Sequence, residues 1–244
     1  MKRFFRIAAA ALIAFLVILL ARFPAKWAKP LLPENVTCNQ VAGTVWNGTC
    51  LGLVARGAEA GDINWDLHAL KLFTGKLGLQ IEWARGTASA KGDVDFGFGG
   101  TIAARNLIAN LPLDPNLLPW VPPSMRGSAI ANLASLQIKG RVITILEGTV
   151  DARGIANNGT SFGDYRVTFP AAQGGTPPTG ALVDTGNGPL TVAAQLKLTA
   201  EPGYEVEGRV AAKPGAPPGL SRQIEFLGSP DPQGMRPFSF SGTY

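Results

Sequence analysis

Most of the chain after Pro33 alternates between apolar and polar residues with a period of two. The segment KLGLQIEWAR places Leu77, Leu79, Ile81 and Trp83 on one side and polar or small residues on the other. This period is that of a β-strand with one side facing an apolar core. The same pattern recurs in DINWDLHA, DYRVTF, PLTVAAQLKLTA and GYEVEGRVAA, so the chain is predicted to contain many half-buried strands.

Glycine and asparagine separate these segments. Asn47-Gly48, Asn158-Gly159 and DTGNGP at 184–189 are typical of hairpin turns, because such residues tolerate positive φ. Short connections between successive strands favour antiparallel pairing. The prediction is therefore an all-β fold: a curved antiparallel sheet of hairpins and meanders.

Helix is predicted to be scarce outside the N-terminus. PNLLPWV, around Trp120, is one short candidate. GLSRQIEFLG, residues 219–228, is the other, with Ser221 as its N-cap and Gly228 at its end.

The first 29 residues form a segment of a different kind. Cations precede and follow an uninterrupted apolar run from Ile7 to Ala21, which Phe4 and Phe5 extend toward the N-terminus. Such a run is typical of a membrane helix or of a signal peptide. Because no small-x-small cleavage site follows, we expect a retained single-pass anchor that crosses the membrane through residues 4–21.

The predicted organisation is an anchor with a short flank over 1–29 and a β-rich domain over 30–244. The short basic N-terminus favours a cytoplasmic start and an exported main domain. The proline-rich stretch 112–126 is a candidate divide between two lobes of that domain.

The positive charge of the chain belongs to the anchor segment. The chain has 22 Lys and Arg against 17 Asp and Glu, and six of the cations lie before residue 30. The remaining 16 cations nearly balance the 17 acids. This distribution argues against nucleic acid as a partner, which would require a basic face on the folded domain.

Cys38 and Cys50 are the only cysteines. Two cysteines in an exported domain are expected to pair, and closing so short a loop stabilises the folded state by roughly 2–3 kcal/mol. A zinc site is not predicted, because two thiols and the single His68 cannot supply four ligands. We expect no metal and no cofactor.

The stretch GTVWNGTC, residues 43–50, is interpreted as structural. Asn47-Gly48 is predicted to be a two-residue turn that joins GTVW to TCLGLVA, with Trp46 packing beside it. Gly43, Trp46, Asn47 and Gly48 are the residues of this motif. Asn47-Gly-Thr is also a formal glycosylation sequon, but turn chemistry is the simpler interpretation.

No convincing catalytic group emerges from the sequence. GTSFG, residues 159–163, fits the nucleophile-elbow pattern around Ser161, but a strand rather than a helix follows it. The pairs Asp93/Asp95 and Glu205/Glu207, and likewise His68, are interpreted as solvent-facing strand residues. We therefore expect a protein that is not an enzyme, with no catalytic residues.

The chain resembles the type II secretion system protein N (GspN) family. The resemblance spans nearly the whole chain and rests on FPAKW, GTVWNG, GTVDARGI followed by FGDYRVTFP, GPLTVAAQLKL and LGSPDPQGMRPFSFSG, in this order and spacing. It implies a single-pass bacterial inner-membrane protein with a periplasmic β-rich domain. It brings no catalytic residues with it.

The resemblance implies an accessory role in exporting folded proteins across the outer membrane. The expected partners are other envelope proteins of the system, either the inner-membrane platform or the secretin. An AsmA-like lipid-transfer or envelope-bridging protein is the alternative function, because a curved antiparallel sheet behind an anchor can also form a lipid groove. An open apolar sheet face would favour the alternative, and a face filled by side chains would oppose it.

Overall fold

The structure is a computed structural model that describes residues 2–27, 34–72, 75–97, 99–118, 121–171 and 177–243. The chain divides into two compact units, Met1–Gly86 (unit 1) and Thr87–Tyr244 (unit 2). Each unit is a succession of antiparallel strands, so the all-β prediction is confirmed. The proline-rich stretch 112–126 lies inside unit 2.

Unit 1 begins with a helix, α1, over Lys2–Ala21. Four strands follow in its described residues, each paired with the next, and a short helix, α2, over Ala69–Leu72 precedes the last of them. The strands are β1 (Val36–Gly43), β2 (Asn47–Ala55), β3 (Ala58–Leu67) and β4 (Lys76–Arg85). In the described residues, none of the helices has the combined length and apolar character that crossing a bilayer would require.

Unit 2 continues the same up-and-down order with nine strands in its described residues, and β5 and β13 lie at opposite ends of that order. A helix, α3, over Pro218–Glu225 lies between the last two strands in the chain. The strands are β5 (Ala88–Gly97), β6 (Thr101–Pro112), β7 (Met125–Lys139), β8 (Val142–Asn157), β9 (Thr160–Phe169), β10 (Thr179–Asp184), β11 (Leu190–Leu198), β12 (Gly203–Ala212) and β13 (Arg236–Thr243).

The turn between β8 and β9 is where the sequence predicts it. Asn158 and Gly159 have φ of 49° and 78°, which are the positive values that a two-residue hairpin turn requires. Asn157 pairs with Thr160 on either side of them. The prediction for this turn is confirmed.

The first turn lies earlier than predicted. Gly43 pairs with Gly48, and Asn47 and Gly48 already belong to β2, so residues 44–46 make the turn. The amide of Thr44 donates to the carbonyl oxygen of Asn47 at 2.8 Å. The interpretation of Asn47-Gly48 as the two central turn residues is therefore wrong: the strand pairing extends inward to a pair of glycines.

Both glycines are needed because their neighbours approach so closely. A Cβ on Gly43, whose φ is 86°, would collide with the carbonyl oxygen of Asn47. A Cβ on Gly48 would collide with the indole of Trp65 on the adjacent strand β3. The close approach of this indole and of the main-chain oxygens of Ala42 and Thr44, rather than a turn conformation, explains Gly48.

Helix α3 begins before its predicted cap. Pro218 starts the helix, which places Ser221 inside it, so the prediction of Ser221 as N-cap is wrong. A proline at the first helical position costs no hydrogen bond, because that N–H has no partner within the helix. Around the other helical candidate, residues 115–117 form a turn, and Trp120 lies outside the described residues.

The main core lies in unit 2, where α3 covers the sheet. Ile224 of α3 is 7% exposed and packs with Leu190, Val192 and Val210 of the strands β11 and β12. Among the described residues no large side chain is completely buried. The apolar faces of these sheets are therefore covered only in places, and the candidate site lies on one of them.

Candidate functional site

The candidate site is an apolar cavity of about 360 Å³ on one face of the sheet of unit 1. Its size falls within the range of small-molecule sites, roughly 300–1,000 Å³. Side chains from all four strands of this unit and from the turns beside them form its wall. We call it the unit 1 cavity and define it by Ala25, Val36, Cys38, Val41, Val45, Cys50, Leu53, Ile63, Trp65, Leu79 and Ile81.

Strand alternation accounts for the wall on β3 and β4. Ile63 and Trp65 are two residues apart, as are Leu79 and Ile81, so each pair faces one side. Trp65 lies opposite Ile81 in the register. This part of the cavity follows from the period-two pattern of the sequence.

An irregularity accounts for the wall on β1 and β2. Cys50 and Leu53 both line the cavity although they are three residues apart, and the β2–β3 register shifts between them. Gly52, with φ of 65°, lies at this shift. One extra residue in a strand reverses the faces that follow it, which is how Leu53 joins Cys50 on the cavity side.

The two cysteines of this wall form a disulfide. Cys38 and Cys50 are bonded, with their Cα atoms 5.9 Å apart. In the register Cys38 faces Leu53 and Cys50 faces Val41, and all four side chains line the cavity. The disulfide thus connects β1 to β2 within the wall itself.

The cavity offers no polar group for chemistry. The side-chain N–H in its wall, Nε1 of Trp65, donates to the carbonyl oxygen of Val45 at 3.1 Å. The residues that line the cavity, all within the described part of the chain, include no charged or hydroxyl side chain. Such a wall suits a hydrocarbon ligand.

The cavity lies beside the end of α1. The amide of Val45 donates to the carbonyl oxygen of Phe23 at 3.0 Å, and Pro24 forms an isolated bridge with Thr44. Ala25, which lines the cavity, is 4% exposed. The residues just after α1 are thus part of the same small body as the cavity wall.

Unit 2 has a wider apolar recess of about 550 Å³ beside α3. It surrounds the main core and includes Tyr165, whose hydroxyl donates to the carbonyl oxygen of Phe162 at 2.8 Å. Burial raises the pKa of Tyr165, and the nearby Asp184 carboxylate raises it further, which keeps the phenol neutral. This recess is also apolar, and the hydroxyl group of Tyr165 in its wall is already bonded to a main-chain carbonyl oxygen.

A second surface lies at the outer edge of unit 2 and shares Leu227 and Phe240 with the wall of this recess. Phe226 is 90% exposed, Phe240 53% and Leu227 40%. Phe240 belongs to β13, and the other two residues directly follow α3. We call these three residues the C-terminal patch. Exposed apolar patches beside an edge strand are typical of protein interaction sites.

The residues considered for chemistry do not converge. Ser161 and His68 are exposed, the first within β9 and the second between β3 and α2. Among the residues that the structure describes, no three His, Cys, Asp or Glu side chains cluster as a metal site would require. Glu205 and Glu207 are exposed as predicted.

The prediction that Asp95 faces solvent is wrong. Asp95 is 8% exposed and accepts a 2.7 Å hydrogen bond from Arg105 on β6. Asp151 is buried in the same way, with the guanidinium of Arg166 on β9 at 2.6 Å. Charges at these depths occur where an opposite charge pairs with them, so these carboxylates are structural.

Sequence reasoning did not identify either the unit 1 cavity or the C-terminal patch. The alternation in β3 and β4 indicated an apolar face, but not whether other side chains would cover it. Gly52 is the one local signal of the irregularity in β2, because a glycine inside a strand often marks a bulge.

Comparison with known proteins gives one family. The model of the family described as Type II secretion system (T2SS), protein N matches residues 34–239. Two curated relatives carry the name Type II secretion system protein N. The protein from Vibrio cholerae serotype O1 is 26% identical over 220 residues, which cover 86% of each chain. The protein from Aeromonas hydrophila is 26% identical over an alignment of 263 positions, which covers 99% of each chain. No solved structure matches this chain significantly.

Proposed function

The chain belongs to the type II secretion system protein N family, and we propose on that premise that it is an accessory, non-catalytic component of this secretion system. In this proposal α1 anchors the chain in the bacterial inner membrane, and the strands of units 1 and 2 lie in the periplasm. There the chain binds another envelope protein of the system, in the platform or the secretin, and so assists the export of folded proteins.

Support for the anchor comes from the exposed apolar surface of α1 and not from its length, since no helix in the described residues combines the length and apolar character needed to cross a membrane. The large apolar side chains that the structure describes on this helix are exposed, with Ile7 at 69%, Ile13 at 62% and Phe15 at 60%. Cations precede this run at Lys2 and Arg3, which agrees with a cytoplasmic start. Alkaline extraction of membranes tests the anchor: the chain should stay with the lipid, and release into the soluble fraction would contradict this part of the proposal.

The observation that carries the binding role is the edge of unit 2. In the described part of the chain the backbone of β13 pairs with β12, and no strand lies on its other side. The unpaired groups of an edge strand can accept a partner's strand through main-chain hydrogen bonds.

The C-terminal patch supplies the apolar contacts that such an interface requires. Phe238 and Phe240 stack with their ring centroids 6.2 Å apart, and Tyr204 approaches Phe240 edge-on at 6.2 Å. Phe226, directly after α3, has 90% of its surface exposed. Large aromatic anchors of this kind contribute much of the binding energy in protein interfaces.

Photo-crosslinking in intact cells tests the interface. A crosslinking amino acid at Ser239, which is exposed on β13, should capture an envelope protein of the secretion system. The same group at Asn132, exposed on the interior strand β7, is the control and should capture much less. Equal capture at the two positions would contradict strand addition at β13.

An export assay tests the patch. Phe226→Ser should reduce secretion of the system's substrates, because it removes an exposed aromatic contact and leaves no cavity in the core. Ile108→Ser is the control, since Ile108 is 58% exposed on β6, away from the edge. His68→Ala and Ser161→Ala should leave export unchanged. Normal export by Phe226→Ser would exclude the patch as the contact surface.

A further inference from the structure

We propose that the unit 1 cavity binds one acyl chain of a membrane phospholipid. This proposal concerns a different site from the C-terminal patch and adds a lipid ligand to the protein. It shares one premise with the proposed function, namely that α1 lies in the membrane.

The chemistry of the wall selects the occupant. Its side chains are aliphatic groups, one indole and one disulfide, and the indole N–H is already bonded to Val45. A ligand group with donors or acceptors would lose its hydrogen bonds to water on entering and gain none. A hydrocarbon chain that enters from the bilayer has no hydrogen bonds to lose, and it removes the apolar wall from water.

The position of the cavity brings it close to the lipid. From Ala21, the last residue of α1, to Ala25 in the wall there are four residues, which span at most about 14 Å. Nε1 of Trp46 donates to the carbonyl oxygen of Leu20, and the amide of Val45 donates to Phe23. These contacts hold the wall against the end of the helix, so an acyl chain can enter directly from the membrane surface.

The charges at this end of the cavity favour a phosphate headgroup. Arg22 and Lys26 flank the segment that contributes Ala25, and no acidic residue precedes Glu34 in the chain. A phospholipid with one chain in the cavity would leave its headgroup near these cations. The attraction of cations to anionic lipid surfaces acts over this short range.

A peptide fits this cavity less well than an acyl chain. The cavity lies on the face of the sheet, where the main-chain groups of β2 and β3 are already paired on both sides. An incoming peptide backbone would therefore find no partners for its own N–H and C=O groups, and burying them unpaired is costly.

Photo-labelling with a defined lipid tests the proposal. The full chain is reconstituted in phosphatidylcholine–phosphatidylglycerol vesicles that contain a phospholipid with a diazirine on one acyl chain. After illumination, mass spectrometry should find label on peptides of β1 to β4 as well as on α1. Label confined to α1 would overturn the proposal, since any membrane helix would acquire it.

A matched pair of variants locates the site. Leu79→Phe adds volume inside the cavity and should reduce labelling of β1 to β4 by about tenfold, because overpacking excludes the ligand. Leu51→Phe is the control, since Leu51 lies on β2 outside the wall and is 45% exposed. Unchanged labelling of a folded Leu79→Phe variant would contradict the proposal.

Two further measurements distinguish failure of the lipid proposal from failure of the proposed function. Ile63→Phe obstructs the same cavity from β3 and replaces Leu79→Phe if that variant does not fold. The Ser239 crosslink, measured in the same variants, reports on the C-terminal patch alone. Loss of the lipid label with an intact crosslink would show that the cavity acts independently of the proposed partner interface. Lipid label without any crosslink would contradict the interface and support the cavity.

Discussion

The indole N–H of Trp46 donates a 2.8 Å hydrogen bond to the main-chain carbonyl oxygen of Leu20. Leu20 lies in the last turn of α1, where carbonyl groups lack partners within the helix. Trp46 lies in the turn between β1 and β2 and is half-buried. The same carbonyl also accepts from the amide of Phe23 at 3.2 Å, so the indole is a second donor to it and joins the end of the helix to the first hairpin of unit 1.

Separating the two roles of Trp46 is the first prediction. Trp46→Phe keeps a ring but removes the donor, and should lower the free energy of unfolding by about 1 kcal/mol. Trp46→Ala should cost about 3 kcal/mol, because packing is also lost. Chemical unfolding of the detergent-solubilised chain, followed by circular dichroism, measures both. Equal costs for the two variants would show that the ring contributes nothing beyond its hydrogen bond.

The second prediction concerns the disulfide between Cys38 and Cys50, which are 12 positions apart in sequence. Removing it in the double variant Cys38→Ser/Cys50→Ser should cost roughly 2–3 kcal/mol, because a short loop is no longer closed in the unfolded chain. Mass spectrometry of the exported protein without reduction determines its state directly. Two free thiols would refute the pairing, and a reductant should not change the stability of the double variant.

The third prediction tests the close approach of β2 and β3 at Gly48. Gly48→Ala should destabilise unit 1 by about 1–3 kcal/mol, because the new methyl group must displace the indole of Trp65. Gly219→Ala in α3 is the control: open space surrounds that position, and alanine favours a helix. A harmless Gly48→Ala would show that the hairpin shifts to accommodate a side chain.

The fourth prediction concerns acid stability in unit 2. Burial alone would raise the pKa of Asp184, but hydrogen bonds from the Lys213 ammonium and from the amides of Val192 and Gly186 outweigh it, so its pKa lies below the ordinary 3.8. Nζ of Lys213 is 2.8 Å from Oδ1, and the amide of Val192 is 2.9 Å from Oδ2. Ionised Asp184 thus holds the β10–β11 turn to the end of β12.

A carboxyl with a lowered pKa stabilises the fold fully above its unfolded pKa and loses this effect as pH falls through the folded value. Asp184→Asn should therefore destabilise the protein by about 1–3 kcal/mol at neutral pH. The difference from the unsubstituted chain should shrink as pH falls below 3.8. Glu205→Gln is the control, since its ion pair with Lys197 is exposed and 3.8 Å long. A difference that does not change with pH would contradict this assignment.

Local patterns were sufficient for the five strands identified from their alternation, β3, β4, β9, β11 and β12. KLGLQIEWAR, read from its alternation, coincides with β4, and Asn158-Gly159 forms the turn that its residues predict. Both signals act within a few neighbouring residues, because side-chain alternation and the tolerance of positive φ are properties of the local backbone. The resemblance in ordered motifs likewise identified the family, since it needs only the order and spacing of residues.

The pairing between strands could not be predicted from the local sequence in the same way. Gly48 belongs to β2 rather than to a turn, because the pairing of β1 with β2 continues as far as Gly43 and Gly48. Asp95 is buried because Arg105, ten residues later on β6, reaches it across the strands. Each outcome depends on a residue that the local pattern around the position does not include.

The sequence alone determined the strand content, the antiparallel order and the family of this protein, because each is encoded in local periodicity or in ordered motifs. The tertiary structure alone decided which apolar faces stay open. Leu53 lines the unit 1 cavity because the register shifts near Gly52. Phe226 is exposed directly after α3, whose Ile224 packs on the sheet. An apolar face in a sequence specifies only that burial is favourable, whereas what covers that face depends on segments brought together by folding.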